Sequence, residues 1–319
     1  MAETISNNHQ AQKIPDFHCS WYSPETGIYS SKHPEIQLPK TPFLDVVSHI
    51  FSYPNNNSTS ALIDSLSGFS IPYSHLFSLV KSISFGLHEM GLSKGGIVTP
   101  MNPLSSFSEV TSLGLKRIIK VPKDAVIGEE TQTFADFYKL IYSNCGKNVP
   151  FPKAKIKQDD TAAIMYSSGT TGASKGVMLS HRNLIAMVEL FVRFEASQYK
   201  EMNTNENVYL GVLPMFHIYG LALFVFGLVS LNTSVVVMRN YEINEVVKAI
   251  AKYKVSHFPV VPPMLAALTA KVRSLGGVDS SGLTGLKQVS SGAASLTTQH
   301  IQDFLHVLPT VDFIQVTSI

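Results

Sequence analysis

The sequence predicts an α/β fold in which layered, mostly parallel sheets are flanked by helices. Two observations lead there. From about Thr161 to Val316, short apolar runs alternate with segments of helical period, and repeated βα units imply right-handed crossovers and parallel pairing. The chain of 319 residues is 45% hydrophobic and 15% charged, enough to bury one large core or two smaller ones. No short repeat period points to a solenoid.

Taken in order, residues 1–19 read as a flexible tail, since the first seventeen carry neither an apolar stretch nor a basic flank of secretory type. Residues 20–72 are rich in Pro, Ser, Asn and Tyr, and PNNNSTS at 54–60 reads as a mobile loop. Between Tyr73 and Met90, Leu76, Phe77, Leu79, Val80, Ile83, Leu87 and Met90 recur at helical spacing, with Gly91 placed as a C-terminal cap. Thr161–Tyr166 reads as a buried strand, followed by a Gly/Ser/Thr loop and a helix over Asn183–Phe194. Strands at 207–213, 234–238, 255–260 and 286–290 precede helices near 218–230, from Ile243 to Ile250, from about Pro263 and near 296–306. A strand at 311–316 closes the series. Ile218–Met238 is long and uncharged, but Asn232, Thr233 and Ser234 break it, so it reads as buried helix, turn and buried strand rather than a membrane span.

Charge and cysteine content narrow the partners. With 25 basic and 23 acidic residues the net charge is only +2, and no Lys/Arg stripe favours nucleic acid. A small-molecule substrate fits better. Cys19 and Cys145 cannot make a disulfide framework or a four-cysteine zinc site, and a reducing compartment, the cytoplasm or an organelle fed from it, is expected. The sequons at Asn56, Asn57 and Asn232 read as chance patterns. No residue is assigned to a metal, and oligomeric state is left open.

The chemistry concentrates in Y-S-S-G-T-T-G-A-S-K-G, Tyr166 to Gly176. Gly169 and Gly172 permit turns that aim successive N–H groups at phosphate oxygens. Ser167, Ser168, Thr170 and Thr171 add hydroxyl donors, and Lys175 supplies a positive charge. Each hydrogen bond to a charged phosphate contributes about 1.5–3 kcal/mol, so several hold a triphosphate. A Walker A loop needs Gly immediately before Lys; here Ser174 precedes Lys175 and Gly176 follows it.

This loop and its continuation V-M-L-S-H-R-N-L resemble the phosphate-binding signature of the acyl-adenylate-forming superfamily. L-P-M-F-H-I-Y-G at 213–220, V-P-P-M-L at 261–265 and S-S-G-A-A-S-L at 290–296 resemble 4-coumarate–CoA ligase-like enzymes, in the family's order. The resemblance implies that residues 20–315 form an incomplete large N-terminal domain and 316–319 a tail outside it. It also implies a reaction: a carboxylic acid, hydroxycinnamate or fatty acid, attacks the ATP α-phosphorus, pyrophosphate leaves, and the CoA thiol displaces AMP. Mg²⁺ normally neutralises the phosphates. The resemblance makes Lys175 and His217 catalytic, and places Phe216, His217 and Tyr219 around the acyl group. Adenylate contacts fall on Gly292, Ala293, Ala294 and Gln315.

The sequence also departs from the family pattern. Family members carry a strand and helix between the counterparts of Gly95 and Gly96, and a helix and strand after the counterpart of Val110. Their magnesium-binding Glu, small C-terminal domain and adenylation lysine have no counterpart here, and Asn240 stands where many relatives have a CoA-contacting Lys. Little or no ligase activity is therefore expected of this polypeptide, with poor solubility from unpaired strand edges. The alternative is a noncatalytic nucleotide-binding or interaction fragment. The end Thr317-Ser318-Ile319 lacks a peroxisomal SKL signal, and a longer form is compatible with peroxisomes.

Overall fold

The structure, a computed structural model, describes residues 22–23, 25–30, 35–54, 59–98, 139, 154–167, 175–198, 207–277 and 281–315. The predicted tails at 1–19 and 316–319 lie outside these residues. Met1–Pro39 and Lys40–Ile319 form two compact units. The first contains a short antiparallel pair, β1 (Tyr22–Ser23) and β2 (Ile28–Tyr29).

The second unit is built on a seven-stranded sheet. Its strands are β3 (Ser60–Asp64), β4 (Ser70–Pro72), β7 (Val208–Gly211), β8 (Ser234–Val237), β9 (His257–Val260), β10 (Gln288–Ser291) and β11 (Asp312–Gln315), in the order β11-β10-β9-β7-β8-β3-β4. Every pairing is parallel except β3 with β4, as the alternation of strands and helices predicts. The region 20–72, read only as rich in Pro, Ser, Asn and Tyr, also holds regular elements. Val46–Ile50 is a helix, α1, capped by Asp45, and the strand Ser60–Asp64, which starts at the last residue of the loop expected at 54–60, joins the main sheet through β8. Residues 55–58 of the expected loop are outside the described set.

Side chains alternate across the strands, so each face of the sheet meets its own partner. Leu210, Val236, Phe258 and Val289 pack against α5 (Ile243–Tyr253), α6 (Pro262–Ser274) and α7 (Thr298–Val307). From the other face Tyr209 and Val235 meet Phe224 and Leu228 of α4, a helical segment made of Ile218–Gly220, a π-helical Leu221–Gly227 and Leu228–Ser230. Burial of each large apolar side chain stabilises the fold by about 1.5–3 kcal/mol. The break after α4 is made by Asn232, in the left-handed region at φ 55°, whose side-chain amide donates to the Pro54 carbonyl. Tyr73 at the start of α2 (Tyr73–Glu89) donates its hydroxyl to the Thr233 carbonyl at 2.9 Å. The sequon at Asn232 is thus a buried turn. Among the described residues no helix is long and apolar enough to cross a membrane.

A separate antiparallel pair, β5 (Thr161–Ser167) and β6 (Lys175–Ser180), corrects the strand-loop-helix expected around the phosphate loop. The loop joins two strands of a hairpin, and the helix α3 (His181–Gln198) starts only after β6. Nor is β5 a buried strand: Ile164 is 45% exposed and Tyr166 77%. The hairpin meets the rest of the unit through Ala162 and Leu179, which pack on a core of Val46, Ile50, Leu184, Ile185 and Val188.

Candidate functional site

The parallel strands end together, and the segments singled out in the sequence follow their carboxyl ends. That is where open α/β sheets place ligands. Leu213–Gly220 leaves β7, Val261–Leu265 leaves β9, and Gly292 follows β10. Gln315, last residue of β11, pairs in register with Ser291. The Gly292 N–H donates to the Val260 carbonyl at 3.2 Å, joining two of these segments.

Two further segments meet side chain to backbone. A methyl group on Gly292 would lie 3.1–3.5 Å from the Tyr219 ring and hydroxyl, so Gly292 lets the ring rest on the 290–296 backbone. The Tyr219 hydroxyl is buried without a good hydrogen bond, and burial raises its pKa against the tempering Ser290 hydroxyl. Ala293, next in the chain, has φ 68°. A residue with a Cβ held in the left-handed region is strained, and such strain gathers at ligand sites.

His217 does not sit on the apolar helix but caps it. Its Nδ1 accepts the Tyr219 N–H at 3.3 Å, and its backbone carbonyl accepts the Leu221 N–H at 2.8 Å. A ring nitrogen that accepts from a backbone N–H carries no proton, so the neutral ring holds its proton on Nε2. The imidazole is exposed, beside Phe216, whose side chain is 71% exposed. Gly220 closes the turn: a Cβ there would stand 2.2 Å from the Pro214 carbonyl oxygen.

The sequence pattern of AMP-binding enzymes matches residues 108–317, about two thirds of the chain. The chain belongs to the AMP-binding enzyme family. Among its relatives, 4-coumarate–CoA ligase-like 6 of Arabidopsis thaliana is 46% identical over 92% of this chain and 59% of its own length. This AMP-binding chain thus spans about 59% of the curated relative. The alignment extends over 338 residues, more than the 319 of the whole chain, so the relative holds residues inside the matched region that this chain lacks. In fold, a long-chain-fatty-acid–CoA ligase from Archaeoglobus fulgidus matches with TM-score 0.70 at 20% identity, over 91% of this chain and 66% of its own. ATP-bound MatB from Rhodopseudomonas palustris matches with TM-score 0.64 at 18% identity, over 86% and 59%.

Within this AMP-binding domain the structure brings Tyr219 and Gly292 together, and sets Gln315 beside Ser291. Ala293 and Ala294 continue the same segment. Lys175 belongs to the other sheet, at the first position of β6 opposite Ser167. Ser168, Gly169, Thr170, Thr171 and Gly172 lie outside the described residues. Asn240 is exposed, beyond the end of β8. Among the described residues no three His, Cys, Asp or Glu side chains gather as a metal site.

Proposed function

We propose that the strand-end site is that of an ATP-dependent acid–CoA ligase, with the adenylate lying along the 290–296 segment toward Gln315 and the acyl group beside Tyr219. The observation that carries the reading is the contact of Tyr219 with Gly292, which joins the acyl and adenylate segments at the carboxyl ends of one parallel sheet. The family match and the ATP-bound neighbour support nucleotide as the ligand. In the first step a substrate carboxylate oxygen attacks the α-phosphorus and pyrophosphate leaves. The neutral His217 ring, held by its Nδ1 contact, presents Nε2–H to the carboxylate and orients it. Lys175 and the loop hydroxyls offset charge on the leaving pyrophosphate, the chief protein contribution in phosphoryl chemistry. In the second step the CoA sulfur attacks the acyl carbonyl carbon and AMP leaves. Substrates are a hydroxycinnamate or a fatty acid. Mg²⁺ bound to the nucleotide would offset phosphate charge alongside Lys175.

A second reading, in which this polypeptide binds nucleotide but completes little or no thioester, is favoured by the residues that the Arabidopsis relative has inside the matched region and this chain lacks. Catalytic groups act as a unit, so loss of part costs most of the rate. Purified chain incubated with ATP, Mg²⁺, CoA and a panel of hydroxycinnamates and fatty acids separates the two. Nucleotide binding weakened at least tenfold by Lys175→Ala, with trace AMP release, is expected. Robust thioester formation abolished by the same substitution would show the complete ligase instead, and no nucleotide binding at all would remove both readings.

A further inference from the structure

The hairpin that carries Lys175 is anchored at its base by a strap, residues 41–46. The Gln158 side-chain amide donates to the Thr41 carbonyl at 2.6 Å, and the Gln158 N–H to that of Pro42 at 3.3 Å. At the strap's other end, the Val46 N–H donates to His181 Nδ1 at 3.2 Å. Gln158 and His181 stand just before β5 and just after β6, and the backbone knits them together: His181 N–H to Asp160 O at 3.1 Å and Arg182 N–H to Gln158 O at 2.8 Å. The strap therefore closes over the point where the hairpin enters and leaves the core. A two-stranded hairpin is marginally stable alone, so its placement depends on such anchors.

One anchor differs from the others in being titratable. A backbone N–H can only donate, so Val46 needs a bare Nδ1 lone pair on His181, which the imidazolium does not offer. We propose that His181 is a positioning residue for the phosphate-binding hairpin: its neutral ring fastens the 41–46 strap across the base of β5 and β6 and so holds Lys175 in place for nucleotide. The inference rests on the nucleotide reading of this hairpin.

The surroundings define the direction of the pH response. Partial burial holds the His181 pKa below its ordinary value, Asp45 of the strap and Asp160 before β5 push it up, and Lys94 after α2 pushes it down. Asp160 is itself paired with Lys94 at 2.5 Å and accepts the Lys157 N–H at 2.7 Å. The strap contact is complete above the ordinary histidine range and is lost as pH falls through the lowered value. The neighbouring clasp is of another kind: His49 Nε2 meets Glu189 of α3 at 3.0 Å, and the Tyr53 hydroxyl donates to the same carboxylate oxygen at 2.9 Å.

The test follows two readouts from pH 7.5 to 5: deuterium uptake of the peptide spanning residues 40–50, and affinity for trinitrophenyl-ATP. In the parent chain, protection around Val46 falls as pH is lowered, and affinity falls with it by about fivefold, the scale of one hydrogen bond. His181→Asn, whose Oδ1 takes the place of Nδ1 without titrating, should keep both flat across the range, and His181→Leu should be weak at every pH. Protection around Val46 that ignores pH, or an Asn variant that titrates like the parent, overturns the proposal. Absence of nucleotide binding at any pH would instead defeat the reading of the hairpin as a nucleotide site, and deuterium uptake would still decide the His181 anchor.

Discussion

His257 opens β9 in the interior, its ring stacked on Tyr209 at 4.4 Å and its Nδ1 2.8 Å from the Ser256 hydroxyl. Burial first, and the nearby Lys287 second, hold its pKa at about 4 instead of 6.5. The unfolded chain therefore takes up a proton between pH 6.5 and 4 that the folded chain refuses, and stability is lost as pH falls through that window. The depression is worth about 3.5 kcal/mol at most, at about 1.4 kcal/mol per pH unit. Urea denaturation of the parent and of His257→Phe at pH 7 and 4.5 measures it. The variant should lose clearly less stability on acidification than the parent; equal losses would assign the acid sensitivity elsewhere. His181 acts in the same direction, which is why the comparison is with the parent. At this scale the sequence was informative where a motif fixed a residue: His217, Tyr219 and Gly292 all lie at the carboxyl ends of the strands. It did not reveal the cap formed by His217, because the helical period of Ile218–Ser230 says nothing about which residue precedes the first turn. The Tyr219–Gly292 contact was hidden for another reason, since it spans more than seventy residues and no local pattern encodes it.

Between β7 and α4, the turn Pro214–His217 doubles back so closely that Gly220 has no room for a side chain. A Cβ would meet the Pro214 carbonyl oxygen at 2.2 Å, its carbon at 2.8 Å and the Met215 Cα at 3.0 Å. All three are backbone atoms and cannot swing aside. Gly220→Ala should destabilise the protein by about 3 kcal/mol, the upper range for overpacking, and displace His217 with the helix start. Gly285→Ala is the control, since a Cβ there meets nothing within 4 Å, and it should stay within about 0.5 kcal/mol of the parent. Thermal denaturation of both variants decides it: similar melting temperatures would mean that the turn can open. Helices of strong period were legible, α2 and α5 nearly to their ends. The β5–β6 hairpin was not, because K-G-V-M-L-S reads as a lead into the following helix. The helix boundary had a signal in S-H-R-N: Ser180 Oγ accepts the Asn183 N–H at 3.2 Å while Asn183 Oδ1 accepts that of Ser180 at 3.0 Å, a reciprocal cap.

The seven-stranded sheet follows from alternation along the chain, but its far edge does not. β3 is a five-residue strand beside an Asn-rich stretch, and it joins the sheet through parallel pairing with β8, about 170 residues away, a contact no local period can announce. The two-stranded β5–β6 sheet raises the opposite issue, surface left without a partner. Among the described residues each of its strands pairs only with the other, which leaves both outer edges open. Ile164 faces Met178 in register, so these side chains share one face, and they are 45% and 71% exposed. Open edges carrying exposed apolar side chains are templates for pairing with another chain. Self-association that grows with concentration is therefore expected. Ile164→Thr with Met178→Lys should suppress it, because a lysine on the shared face opposes edge-to-edge pairing while both strands keep their backbone ladder. Sedimentation velocity over a concentration series measures the effect. A parent chain that stays monomeric throughout, or a double variant that associates as strongly as the parent, would show that the hairpin face is not the surface responsible.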